Sequence, residues 1–283
     1  MAPGVSMASA TPGFFIIGCQ RSGTTLMRLI LECHSRIACL DEGRAYAALA
    51  GQQPLPVDRP LVGLKVPAVT EQLAGEMLWD ATGLDQVPNP YRQQPLLFMV
   101  RDARDTIASM LALHVAGRRW VDGWLKPTLA GKRARCAGFA ERYAADLAAL
   151  DAAGAPELAQ AAFYWRYKTE AFFDYVSRGF PALLIRYEDV VSRPRQELQR
   201  VCEFLGVEWQ PALLAHSHAP HGETDEQGFT IGGTQARRAI NDLSVDRWRA
   251  VFTDEEAATI LRFAGARQGE FYPMNAHQPA TRP

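Results

Sequence analysis

The sequence has hardly any net charge, no long apolar run and no secretory leader pattern. Its 30 Lys and Arg residues against 31 Asp and Glu residues give a formal net charge of −1, so no overall electrostatic field attracts nucleic acid or an anionic membrane. No apolar run approaches the roughly 18 residues that a membrane-spanning helix needs, and the N-terminal residues lack the basic region of a signal peptide. These absences favour a cytoplasmic protein that binds neither nucleic acid nor membrane.

Cysteine is scarce, and its spacing fits neither a disulfide framework nor a zinc site. The five cysteines are Cys19, Cys33, Cys39, Cys136 and Cys202. Because their number is odd and no pair has the CxxC spacing, we expect reduced thiols in an intracellular protein. His216, His218 and His221 lie within six residues, but no acid or cysteine is spaced to complete a metal site with them. We therefore expect no bound metal, and a solvated loop at these histidines.

The remaining composition is that of an ordinary globular protein, with 48% hydrophobic and 22% charged residues. Short apolar runs have the length of buried strands, and segments of helical period follow them. The predicted strands are 14–18, 61–66, 95–101 and 182–187, and the clearest helices are 24–33, 103–115, 194–205 and 253–264. Strands that are apolar throughout and alternate with helices indicate an α/β fold, a P-loop-like parallel β-sheet flanked by helices on both faces.

A single domain is expected, because no linker-like composition interrupts residues 13–275. Residues 1–12 and 276–283 are predicted to be flexible tails. The stretch 135–178 is rich in alanine and aromatic residues, and we predict two helices there that meet near Gly154-Ala155-Pro156.

Residues 18–25, GCQRSGTT, connect the first predicted strand to the first predicted helix. They match the phosphate-binding pattern GxxxxGK[ST] except that Thr24 replaces the lysine. The two glycines allow the backbone to curl around an anion, and the amides of residues 22–25 open a helix whose dipole favours negative charge. Arg21 can supply positive charge through a planar fork suited to oxyanions. The missing lysine argues against ATP or GTP hydrolysis, but not against binding a shorter phosphate chain.

A second signal lies in LFMVRDARDTIAS at 97–109. Arg101 stands at the carboxyl end of a predicted strand, and Ser109 follows eight residues later in the next helix. Ligands of such sheets bind at the carboxyl ends of the strands, so Arg101 and Ser109 could hold a second phosphate beside the loop. The alternative is that Arg101 merely pairs with Asp102 or Asp105.

Together these segments resemble the paired signatures of the sulfotransferases that use 3′-phosphoadenylyl sulfate (PAPS). RSGTT at 21–25 resembles the family's 5′-phosphosulfate loop, and VRDARDTIASM at 100–110 resembles its 3′-phosphate strand and helix. LLIRYEDVVSRP at 183–194 is similar to a later strand–helix unit, which implies that Tyr187 lies near the adenine. The resemblance extends from about Phe14 to Trp248. It implies the sulfotransferase fold, PAPS as donor, adenosine 3′,5′-bisphosphate (PAP) as product, and no metal, because a phosphosulfate carries less charge than a triphosphate.

Within that family, the loop arginine of RSGTTLMR and the segment LDEGRAY at 40–46 look most like the tyrosylprotein sulfotransferases and their bacterial relatives. The resemblance implies that Glu42 is the catalytic base and that Lys65 and Arg21 stabilise the transition state. Sulfuryl transfer to a hydroxyl indeed requires a base and positive charge around the transferring group. Asp41 is a rival base, Glu42 could instead be a helix-start carboxylate paired with Arg44, and Lys65 could be a surface lysine at a strand end.

The glycine-rich, basic segment 229–248 resembles the family's late cofactor loop. Thr234 is a candidate to replace a catalytic serine that the tyrosylprotein branch has near this position. The cofactor contacts implied by the resemblance are Arg21, Ser22, Gly23, Thr24, Thr25, Arg101, Ser109, Tyr187, Arg237, Arg238 and Arg247. Trp120, Trp124 and the aromatic run 163–165 are expected to be mostly core, with one or two lining an acceptor pocket.

The sequence therefore predicts a PAPS-dependent sulfotransferase that acts on a hydroxyl by direct in-line transfer. A P-loop kinase of a small molecule or peptide and a non-catalytic nucleotide-binding module are the alternatives. A net charge of −1 offers no strongly basic groove for acidic peptides, which slightly favours a small-molecule acceptor over a tyrosine phenol. A homodimer is compatible with the sequence.

Overall fold

The structure is a computed structural model, and it describes residues 13–56, 58–79, 87–89, 93–221, 230 and 233–272. Both predicted tails lie outside the described residues. The nine strands are β1 (Phe14–Gly18), β2 (Ile37–Leu40), β3 (Leu61–Lys65), β4 (Met77–Leu78), β5 (Val87–Pro88), β6 (Leu96–Val100), β7 (His114–Val115), β8 (Arg118–Arg119) and β9 (Ala182–Arg186) among the described residues.

Helices surround these strands in the described part of the chain. They are α1 (Thr24–Glu32), α2 (Glu42–Leu49), α3 (Ala103–Leu111), α4 (Lys126–Arg135), α5 (Ala137–Arg142), α6 (Ala144–Ala152), α7 (Glu157–Ser177), α8 (Tyr187–Ser192), α9 (Pro194–Leu205), α10 (Asp254–Ala264) and α11 (Arg267–Phe271). A π-helical turn spans Val121–Leu125, and 3₁₀ turns span Pro67–Val69, Pro211–His218 and Arg247–Ala250. None of these described helices combines the length and apolar character that crossing a membrane requires.

The central sheet has five parallel strands in the order β2-β3-β1-β6-β9. Alternate residues of β1 enter different core clusters. Phe14 and Ile16 pack with residues of α1 and α9, whereas Phe15 and Ile17 pack with residues of α2 and α7. Helices therefore cover both faces, and the predicted α/β fold class is confirmed.

The register brings the carboxyl ends of the central strands together. Lys65 pairs with Ile16, and Gly18 pairs with Met99, so β3, β1 and β6 end at neighbouring positions. The segments that follow these strands consequently share one edge of the sheet, which is where open α/β sheets bind their ligands.

Two element predictions were wrong. Instead of two helices, residues 135–178 contain α5, α6 and α7, because Tyr143 leaves the helical region (φ −108°, ψ 22°) and its ring packs against Phe139 and Phe163. The helix predicted over 103–115 ends at Leu111, and the hairpin β7–β8 follows. Ala116 and Gly117 have positive φ (50° and 76°), the backbone that a tight two-residue hairpin turn requires.

Candidate active site

The loop between β1 and α1 has the backbone of an anion site. Gly18 and Gly23 have φ of 131° and 96°, and a Cβ at Gly18 would lie 2.0 Å from the Met99 carbonyl oxygen. Within the described residues no side chain caps the N-terminus of α1. The first amides of this helix are therefore available to an anion.

The side chain of Ser22 forms its hydrogen bonds within the protein, whereas the prediction for this residue concerned its backbone amide. Its hydroxyl is fully buried and donates to the carbonyl oxygens of Cys19 (2.5 Å) and Met99 (3.2 Å). The Ser22 N–H also donates to Cys19, at 3.1 Å. These bonds fasten the loop to the end of β6, so the role of Ser22 is to hold the loop.

A smaller cavity of about 310 Å³ lies over the loop and the amino end of α1. The guanidinium of Arg21 donates to Ser109 Oγ (3.0 Å), and Arg101 donates to the Arg21 carbonyl (3.3 Å). Burial, followed by the charge of Arg101, lowers the pKa of Arg21 to about 10, which leaves it protonated at neutral pH. Two cations and a hydroxyl thus meet at one point, an arrangement that suits a phosphorylated ligand.

Tyr187 forms one wall of the smaller cavity. The guanidinium carbon of Arg101 lies 4.6 Å from the centre of its ring. A Cβ at Gly23 would approach that ring to 2.7 Å, so the ring needs glycine at this position. The suggested pairing of Arg101 with Asp102 or Asp105 does not occur, since Asp102 pairs with Arg104 and Asp105 accepts backbone amides.

The late loop reaches the smaller cavity with some of the predicted residues. Thr234, Arg238 and Arg247 line the cavity. Arg237 and Arg238 are both exposed, but only Arg238 lines a cavity. Gly232, which belongs to the same glycine-rich stretch, lies outside the described residues.

A larger cavity of about 920 Å³ adjoins the smaller one. Lys65, at the end of β3, donates from Nζ to Glu42 Oε2 at 3.0 Å. The hydroxyl of Tyr46 donates to Glu42 Oε1 at 2.9 Å and accepts the Ala68 N–H at 3.1 Å. Both oxygens of this carboxylate are therefore held. Lys65 is 8% exposed, which excludes the surface-lysine interpretation.

The neighbouring acid has a structural role. Asp41 caps α2, its side chain accepting the Arg44 N–H at 3.1 Å. Asp41 is thus the cap of α2, and Glu42 is the first residue of the helix. Tyr46 was not predicted, although its position one helical turn after Glu42 is a spacing that places both side chains on the same face.

A buried ion cluster supports the turn after β3. Lys132 and Lys168 both pair with Glu71, and Lys168 also donates to the carbonyl oxygens of Pro67 and Ala68. Burial alone would raise the pKa of Glu71, but the two lysines outweigh it and lower that pKa to about 2. The cluster holds the segment that carries Lys65 and the Ala68 amide. This cluster could not be predicted from local patterns, because α4 and α7 lie far from residue 71 along the chain.

Aromatic side chains form part of the larger cavity. Trp120 and Trp124 line it and lie stacked, with ring centres 6.5 Å apart. Trp124 donates to the Tyr164 hydroxyl at 3.3 Å, and Tyr164 donates to Gln20 Oε1 at 2.9 Å. Tyr164 and Trp165 are fully buried. The expectation of mostly core aromatic residues, with one or two at a pocket, is therefore confirmed.

The histidine segment differs from its prediction. His216 is fully buried, and burial, followed by His221, lowers its pKa to about 4. His221 bonds the His216 carbonyl at 2.8 Å, and His218 is exposed. The segment is a 3₁₀ turn packed on α1 rather than a solvated loop, because Leu213 enters the core beside that helix. Among the described residues, no group of three or more His, Cys, Asp or Glu side chains could hold a metal ion.

The two cavities share Arg21, Thr24 and Thr25. One end of a phosphorylated ligand in the smaller cavity would therefore lie at these three residues, next to the Glu42–Lys65 pair. Fold and site together define the class: an α/β protein with a phosphate-loop-like anion site and an adjoining carboxylate–lysine pair.

Comparison with known proteins identifies the family. A profile described as "Sulfotransferase family" matches residues 12–61 and 64–211, more than half of the chain. The chain therefore belongs to the sulfotransferase family, and this membership supports the activity of a transferase that moves a sulfuryl group.

Individual relatives are distant but cover most of the chain. A "Putative protein-tyrosine sulfotransferase" of Caenorhabditis briggsae is 22% identical over 266 residues, 85% of this chain and 82% of the relative. The sulfotransferase domain of the Synechococcus PCC 7002 olefin synthase superposes with a TM-score of 0.53 at 18% identity, over 93% of this chain and 98% of that domain. The sulfotransferase domain from the curacin biosynthetic pathway gives 0.50 at 17% identity, over 93% and 99%. These two structures show the shared fold.

Proposed function

We propose that the protein transfers the sulfuryl group of PAPS to an acceptor hydroxyl, with Glu42 as general base. One observation carries the proposal: Arg21 links a cavity lined by Arg101 and Ser109 to a second cavity that holds the Glu42–Lys65 pair. A donor with two separated phosphates fits the first cavity, and a base beside its reactive end fits the second.

The donor supplies an activated sulfur on its 5′-phosphate. Arg101, Ser109, Arg238 and Arg247 are suited to its 3′-phosphate, and the loop amides with Thr24 and Thr25 to the 5′ end. In the reaction the acceptor oxygen bonds to sulfur as the sulfur–phosphate oxygen bond breaks. Glu42 takes the acceptor proton, while Arg21 and Lys65 stabilise the negative charge on the leaving phosphate and the sulfuryl oxygens.

The larger cavity is suited to the acceptor. Trp120, Trp124, Leu113 and Val115 give it apolar walls, which favour an aromatic or alkyl body over a sugar. Arg44, Arg118 and Arg119 also line it; Arg44 pairs with Asp41, and Arg119 pairs with Glu157. The apolar walls support a small-molecule acceptor, with a tyrosine phenol as the alternative.

The test is the calorimetric binding of PAP and of ADP, both without magnesium. PAP carries the 3′-phosphate that ADP lacks, so the Arg101 and Ser109 site should favour PAP by tenfold or more, about 1.4 kcal/mol. Arg101→Met should remove that preference. Equal affinities, or ADP binding that requires magnesium, would contradict the proposal and favour a P-loop kinase.

A further inference from the structure

The carboxylate of Asp105 accepts two hydrogen bonds from the backbone of the late loop. It is 2% exposed; Oδ2 accepts the Asp246 N–H at 2.8 Å, and Oδ1 accepts the Trp248 N–H at 2.9 Å. These two amides flank Arg247, which lines the smaller cavity. The two carboxylate oxygens thus hold the amides on either side of Arg247, a residue proposed to bind phosphate.

The turn that Asp105 holds has a backbone conformation that is unfavourable by itself. Asp246 has φ 58° and ψ 14°, a left-handed conformation that costs a non-glycine residue roughly 1 kcal/mol or more. Trp248 anchors the same turn through its side chain, which is 6% exposed and packs on Ala108 and Ala257. The guanidinium carbon of Arg104 lies 4.1 Å from the centre of the Trp248 ring.

One face of α3 serves both parts of the site. Asp105 and Ser109 are four residues apart, so they lie on the same side of the helix. Ser109 contacts Arg21 in the smaller cavity, while Asp105 holds the loop above it. At the start of this segment, Arg101 donates to the Ser244 carbonyl. Strand end, helix and late loop are therefore joined around the cavity.

We propose that Asp105 is a positioning residue for recognition of the 3′-phosphate: by holding the amides of Asp246 and Trp248, it fixes Arg247 at the smaller cavity. The inference rests on the proposed function, because that function supplies the ligand. Asp105 itself lines neither cavity.

The direction in which PAP affinity changes in Asp105→Asn distinguishes the positioning role from a simple charge effect. Replacing Asp105 by asparagine removes a negative charge near a dianionic group, so Coulomb's law alone predicts tighter PAP binding. Positioning predicts weaker binding, because the asparagine amide can accept only one of the two N–H groups and presents its own N–H₂ to the other.

The experiment compares the affinities of PAP and ADP for wild type and Asp105→Asn by calorimetry. We expect PAP affinity to fall about tenfold, on the scale of a lost charge-assisted contact, with ADP affinity within twofold. Asp246→Asn is the matched control, because it removes an exposed carboxylate from the same turn, keeps the backbone N–H and suits positive φ. It should leave PAP affinity unchanged or slightly higher.

A second readout needs no nucleotide. The amides of Asp246 and Trp248 should exchange hydrogen at least tenfold faster in Asp105→Asn than in wild type; should that variant fail to fold, Asp105→Ser replaces it. Tighter or unaltered PAP binding, or equal weakening of PAP and ADP, would overturn the role of Asp105. A wild type without any preference for PAP over ADP would instead refute the proposed function, so the two failures can be told apart.

Discussion

At the scale of single residues, the geometry of Glu42 is the most informative feature of the site. A carboxylate that only neutralised Lys65 would need one oxygen, yet Tyr46 holds the other and is itself fixed by the Ala68 amide. Such double fixation would orient the proposed base before the acceptor arrives, which is how pre-organised groups contribute to catalysis.

The substitution Glu42→Gln preserves the shape and one acceptor atom but removes the proposed base. General base catalysis is typically worth about 10²–10⁴-fold, so we expect kcat to fall by that factor with PAP affinity within threefold. The measurement is transfer of labelled sulfuryl from PAPS to an acceptor found by screening phenols and alcohols with wild type. Asp41→Asn is the control: asparagine also caps a helix, so its rate should stay within a few-fold. Equal losses of kcat in Glu42→Gln and Asp41→Asn would contradict the role of Glu42 as the base.

At the scale of elements, the unit β1–loop–α1 could be predicted because its signals are local. Glycine spacing, the apolar strand and the helical period of 24–33 all fall within twenty residues, and β3, β6 and β9 are equally plain apolar runs. The role of Ser22 could not be predicted, because it depends on the Met99 carbonyl of another strand. Asp105 and Glu71 were hidden for the same reason, since their partners are distant in sequence.

Gly23→Ala tests that unit. Alanine at φ 96° is strained by about 1–2 kcal/mol, and its Cβ would approach the Tyr187 ring to 2.7 Å. The ring and the loop cannot both keep their positions, so we expect PAP affinity to fall at least tenfold in calorimetry.

Gly179→Ala is the matched control for backbone strain. Its φ is 76°, and a Cβ there would meet no atom within 4 Å. We expect a comparable loss of unfolding free energy but unchanged PAP affinity. If both variants bind PAP like wild type, close approach of Tyr187 to the loop is not required for the donor site.

At the scale of the whole molecule, the site is assembled from segments that only the complete fold brings together. The smaller cavity is lined by the loop after β1, by α1, by the residue that follows β6, by α3, by the first residue of α8 and by the late loop, whereas the larger one adds α2, β3 and the hairpin β7–β8. Sequence patterns found the strand ends that carry Arg101 and Lys65, because strand ends converge in any parallel sheet. They could not find the contacts that hold the cavity walls together, and the ion cluster at Glu71 is one of these contacts.

Glu71→Gln should therefore destabilise the whole domain. It leaves Lys132 and Lys168, which are 3% and 0% exposed, without their carboxylate, and losing one partner of a buried ion pair costs about 3–5 kcal/mol. We expect that loss in urea unfolding at pH 7. The control is Asp151→Asn, which breaks the exposed pair with Arg133 and should leave the unfolding free energy nearly unchanged.

The pH dependence of the unfolding free energy of wild type and of Glu71→Gln gives the decisive comparison. The pKa of Glu71 is lowered in the folded state to about 2 from an ordinary 4.5, so its stabilisation is complete above pH 4.5 and is lost as the pH falls towards 2. The difference between wild type and Glu71→Gln should be about 2 kcal/mol smaller at pH 3 than at pH 7. A difference that is the same at both pH values would mean that the Glu71 charge does not hold α4 and α7 to the turn that positions Lys65.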